Sequence, residues 1–147
     1  MRKNDDLKAE YLLIQGQYEA YDQRALSVKA LAAPLLGAGI AVGLKDGSRS
    51  IIVATVVVAV ALWALEAIWK TFQYCLTKRI KFLEGWFRGE GDEAAAPFQV
   101  YTSWVASWEG GLSRPRAALR IMGLPFVFLP YAVIAGLGIA AFVWLSF

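Results

Sequence analysis

Few side chains in this sequence are equipped for chemistry, and the most conspicuous is Glu66. It follows an uncharged run from Ile51 to Leu65 and precedes Ala67, Ile68 and Trp69, so a carboxylate stands inside an otherwise apolar segment. A charge in such a segment is costly and by default marks a proton or ion pathway. A basic residue, Lys29, opens another apolar segment, Ala30 to Leu44. The stretch Lys45–Ser50 between the two is short, which makes them antiparallel neighbours. Facing residues then have numbers that sum to about 95, and Glu66 faces Lys29. Two chemistries follow: an intramembrane ion pair that fixes the register of two helices, or a proton or ion site. Both residues stand near a segment end, where a charge costs least, and this favours the structural pair.

Other chemistry is thinly provided. There is no histidine and one cysteine, Cys75. An intrachain disulfide and a His/Cys zinc cluster are excluded. No serine or cysteine has a visible base partner and no carboxylates cluster in an apolar segment. We therefore expect no catalytic residue, no cofactor and no metal, and a protein that is not an enzyme. Gly89 and Gly91 do not follow a strand, and Glu90, Asp92 and Glu93 would repel a phosphate.

The elements that must position Lys29 and Glu66 are helices in a membrane. Of 147 residues, 58% are hydrophobic and only 18% charged, less charge than a soluble domain carries. Three apolar segments begin at Ala30, Ile51 and Ile121. At ~1.5 Å per residue each approaches the thickness of a hydrocarbon core. The first 29 residues carry charges throughout, so no signal peptide is expected. Thirteen Lys and Arg residues fall within 1–29 and 70–120 and two within 45–50. The positive-inside rule then places the N-terminus and 70–120 in the cytoplasm and the C-terminus outside.

Two of the helices should run beyond the membrane. Leu7, Tyr11, Ile14, Tyr18, Tyr21, Ala25 and Val28 alternate at spacings of four and three, the seam of a coiled coil. Leu65, Trp69, Phe72, Leu76, Ile80, Leu83 and Phe87 continue the second helix past Lys70 in the same way. By the sum rule Tyr11 faces Glu84 and Leu83, Tyr18 faces Thr77, and Tyr21 faces Tyr74. The expected fold is an all-α membrane protein in one domain, 1–147. A long antiparallel hairpin of two transmembrane spans continues into a cytoplasmic coiled coil, with helices over 5–44, bent at Pro34, and 50–88. A breaker-rich linker and an interfacial helix occupy 89–120, and a third span 121–147.

In 89–120, Tyr101, Trp104, Val105 and Trp108 share a helical face that Gly110 and Gly111 terminate. A period-two pattern through Phe98, Val100, Trp104 and Trp108 also fits a strand. Trp104 and Trp108 suit a helix at the lipid headgroups, or else a cap on the coiled coil. Arg114, Arg116 and Arg120 precede the third span and are placed to contact lipid phosphate, which leaves no basic patch to assign to nucleic acid. Pro130 should start the third transmembrane helix. Ile121 to Leu129 would be a bent lead-in, which Pro125 and Pro130 allow to be re-entrant, and Trp144 and Phe147 could anchor the outer interface. Gly39 with Gly43, and Ala132, Gly136 and Ala140, have the small-residue spacing of close helix packing, within the chain or between copies.

The stretch "LWALEAIWKTFQYCLTKRIKFLEGWFRGE", followed by "APFQVYTSWVASW", resembles a group of small uncharacterised bacterial membrane proteins. The resemblance covers about residues 10 to 145 and implies a multi-pass protein of the bacterial inner membrane, without an activity. The layout of a cytoplasmic helix, a two-span hairpin and a cytoplasmic extension is also similar to SLATT-type membrane effectors, from which the third span departs. The partners expected are the lipid bilayer and further copies of the chain. The functional expectation is a homo-oligomeric membrane assembly, as pore, effector or scaffold. The alternative is an accessory subunit of a larger membrane protein complex.

Overall fold

Helix formers run without a strong break from the N-terminus to the turn at 46–48, and the result is one helix, α1, Arg2–Lys45. The computed structural model describes residues 2–91 and 96–147. Part of the expected linker, Asp92 to Ala95, lies outside the described residues. Pro34 is accommodated inside α1. The turn is closed by Gly47, whose φ of 63° is a left-handed conformation that glycine adopts without strain. The second helix, α2, is Arg49–Gly85 and passes into a wider π-type turn, Trp86–Glu90. It ends there because Gly89 turns left-handed, with φ of 83°. Then follow α3, Val100–Ser107, a π-type turn, Trp108–Leu112, and α4, Pro115–Met122. The last helix, α5, is Pro125–Trp144. The segment around Trp104 is thus helical, and the strand alternative falls away.

The third apolar segment departs from expectation in one respect. Its helix starts at Pro125, not at Pro130, so the bend expected within 121–129 is confined to Gly123 and Leu124. The reason is local. Leu124 is extended, with ψ of 133°, and Pro125 occupies the first turn, where a missing N–H is harmless. Pro130 then sits in the helix interior.

The chain forms two units. Unit 1 comprises Met1–Gln23 with Trp69–Ala118, and unit 2 comprises Arg24–Ile68 with Leu119–Phe147. In unit 1, Leu7 and Ile14 of α1 pack with Leu76, Ile80 and Leu83 of α2, and Tyr11, Tyr18, Tyr21, Val100 and Trp104 close around them. In unit 2, Ala32 and Leu36 pack on Ala59, and Ile40 on Ile52 and Ala141. The packed residues of α1 recur every four positions and are flanked by exposed Leu31, Leu35 and Val42. Helices α1 and α2 (with its π-type turn) and α5 are each long and apolar enough to cross a membrane. An apolar face left open on all three fits a lipid environment.

Candidate functional site

Unit 2 places Lys29 Nζ 2.7 Å from Glu66 Oε1. Glu66 is 3% exposed and Lys29 19%. Lys29 also donates to the carbonyl oxygen of Phe126, at 2.6 Å. Phe126 is four residues before Pro130, and a proline has no N–H with which to serve that carbonyl. The lysine ammonium stands in for the missing backbone donor, so one side chain both pairs with Glu66 and tolerates a proline inside α5. Next along α5, Tyr131 is 3% exposed and its hydroxyl faces the Glu66 carboxylate. A cavity of about 20 Å³ lies against Lys29, Ala32, Leu36, Pro130, Tyr131 and Ile134. Trp63 Nε1 donates to the Met122 carbonyl at 3.0 Å. Sequence reasoning missed Tyr131, although its hydroxyl is the only one in the otherwise apolar α5.

Unit 1 holds two polar contacts that the spacing rule did not anticipate. Glu10, fully buried, receives two hydrogen bonds from Arg79, Nε to Oε1 at 2.9 Å and Nη2 to Oε2 at 2.8 Å. The same pair grips the chain ahead of α3. Arg79 donates to Ala96 O and the Phe98 N–H donates to Glu10, both at 2.8 Å. Phe98 has φ of 58°, a conformation unfavourable for a bulky residue, and these bonds hold it there. The Arg79 guanidinium also lies 4.8 Å from the centre of the Phe82 ring. Further along, Lys70 pairs with Asp22 and donates to Gln73 Oε1 at 2.8 Å. Gln73 in turn donates to Tyr18 O at 2.8 Å and Asp22 Oδ2 at 3.0 Å. Burial pushes the Cys75 thiol up to about 11, which leaves it a packing residue and not a nucleophile.

Other expected site residues are placed differently. Trp104 and Trp108 stack on each other and pack on Phe72, with Trp104 Nε1 donating to Phe72 O at 3.2 Å. They pack on the side of α2 at Phe72 and remain partly exposed. Tyr101 is the exposed aromatic of α3. Arg114, Arg116 and Arg120 are exposed. Gly39 and Gly43 face Thr55 and Ile52 of the same chain, so they serve close contact between α1 and α2. On α5 the packing glycine is Gly138, against Val56, whereas Gly136 and Ala140 face outward and Ala132 is half-buried. The spacing of small residues was visible, but the face they occupy was not.

Among the described residues no cluster of three or more Cys, Asp or Glu could hold a metal. The molecule is a small all-α protein with three long apolar helices, the make-up of a multi-pass integral membrane protein. The chain matches no family model, and no curated protein or solved structure is significantly similar to it.

Proposed function

We propose that this protein is a non-enzymatic component of a bacterial inner membrane that works as a homo-oligomer, as pore, effector or scaffold. The observation that carries the reading is an uncovered apolar strip on unit 1. Helix α3 covers the stripe formed by Leu7, Ile14, Leu76, Ile80 and Leu83, but Leu12 and Leu13 remain 60% and 52% exposed. Unit 1 carries charges along α1 and α2, which suits water and not lipid, and adjacent exposed leucines in water call for a protein partner. A second copy supplies the same strip without any other gene product. Changing Leu12 and Leu13 together to Gln should shrink the particle in mild detergent and leave helicity unchanged. A wild-type monomer at high concentration would replace this reading with that of an accessory subunit awaiting a larger partner.

The basic asymmetry supports a cytoplasmic N-terminus and an external C-terminus. A reporter that is active only in the cytoplasm, fused after Phe147, should be silent. Activity from that fusion would reverse the orientation of α5.

A further inference from the structure

The contact with Lys29 answers the charge of Glu66 but not its hydrogen-bonding capacity. An ionised carboxylate can accept about four hydrogen bonds. In unit 2 both Glu66 oxygens and the Tyr131 hydroxyl lack a well-aligned hydrogen-bond partner, although all are shut away from solvent. The Tyr131 hydroxyl and the Glu66 carboxylate face one another, and a small, mostly apolar cavity of about 20 Å³ adjoins Lys29 and Tyr131. Three buried oxygens left without a well-aligned hydrogen-bond partner, beside a lysine whose ammonium is shared with the Phe126 carbonyl, are more than a register-fixing ion pair requires.

We infer that Glu66 is a reversible proton-binding site, with Tyr131 as its hydrogen-bond partner in both charge states. A tyrosine hydroxyl both donates and accepts. With Glu66 ionised, Tyr131 donates to a carboxylate oxygen. With Glu66 protonated, the new carboxylic O–H donates to the Tyr131 oxygen. In the step between them a hydronium ion from the aqueous side gives its proton to a Glu66 oxygen, an O–H bond forms there, and water is left. No electron moves. Lys29 keeps its bond to Phe126 O, and its partial exposure lets the ammonium lean toward water once the carboxylate is neutral.

The titratable groups shown facing Glu66 are Lys29 from α1 and Tyr131 from α5. The other acid of unit 2, Asp46, belongs to the turn after α1, and Arg24 and Arg120 are exposed. The inference rests on the membrane character of unit 2 and not on the number of copies.

Infrared spectra of the full chain in phosphatidylcholine vesicles test it. Between about pH 8 and about pH 4, a range that reaches the ordinary carboxyl value, the wild type should gain the carbonyl stretch of a buried carboxylic acid. Glu66→Gln should lack that band. Tyr131→Phe should keep it at higher frequency, having lost the hydrogen bond. Lys29→Met should show it already at about pH 7, since a buried carboxylate without its cation takes up a proton. Glu66→Asp retains an acid and should retain a band at shifted frequency, which distinguishes loss of the acid from loss of the fold. Wild-type spectra that match Glu66→Gln throughout the range would overturn the proton site. A band unmoved by Tyr131→Phe would overturn the role given to Tyr131.

Discussion

Glu10→Ala should destabilise unit 1 by about 3–5 kcal/mol, the largest loss expected from any single substitution in the chain. Glu10 has no exposed surface and Arg79 is nearly as deep, so removing the carboxylate leaves a buried guanidinium with no counter-charge. The Phe98 N–H loses its acceptor at the same time, and a positive-φ phenylalanine is left to hold its conformation without that bond. The loss should therefore appear twice. Thermal unfolding followed by circular dichroism should shift down by ~6–20 °C, at about 2–4 °C per kcal/mol for a chain of this size. Proteolysis near Pro97 should quicken as the strap ahead of α3 loosens. Arg79→Leu combined with Glu10→Leu should restore much of the stability, because it removes both desolvated charges and supplies apolar volume. A loss below about 1 kcal/mol for Glu10→Ala would show that the pair behaves as an exposed one.

The two polar systems show how far sequence patterns reach. The contact between Lys29 and Glu66 can be inferred because a short turn fixes register for the helix residues near it, and the Gly43 contact with Ile52 obeys the same sum of 95. Glu10 with Arg79 sums to 89 and Asp22 with Lys70 to 92, so neither follows from counting back from the turn. Arginine, lysine and glutamate side chains are long, and an offset of six residues is only about 9 Å along a helix. A register rule built on seam positions is blind to such pairs. The heptad pattern did locate Leu7, Ile14, Leu76, Ile80 and Leu83, which are buried. Of its outer positions, Leu65 is exposed, whereas Phe87, though half exposed, meets the seam residue Tyr11 edge to face.

The start of α5 was illegible for a related reason. Whether a proline begins a helix or sits within it depends on whether the carbonyl four residues back finds another donor. For Pro130 that donor is Lys29, about a hundred residues away in sequence, and no local pattern announces it. The same residue thereby connects α1 with α2 through Glu66 and with α5 through Phe126, all inside unit 2. That is why the site cannot be described from the apolar segments one at a time.

Small-residue spacing poses the opposite difficulty, since the signal is plain but its use is ambiguous, and a pair of substitutions on different faces separates the uses. Gly39→Leu with Gly43→Leu should lower the unfolding midpoint by at least about 5 °C, through overpacking of ~1–3 kcal/mol at each position. A Cβ at Gly43 would lie 2.6 Å from Ile52 Cγ1 and 3.3 Å from the Ile52 backbone nitrogen. At Gly39 it would meet Thr55, whose hydroxyl is held by the Ile51 carbonyl. Both neighbours are β-branched and buried, so neither can swing away without moving α2. Gly136→Leu meets nothing within 4 Å and should leave the midpoint unchanged. If Gly39 and Gly43 instead joined copies of the chain, their substitution would reduce particle size in mild detergent while leaving the unfolding midpoint of each chain intact. The within-chain assignment fails on that result, and a loss of midpoint confined to Gly39 and Gly43 supports it, because overpacking between α1 and α2 acts on every chain whether or not it has partners.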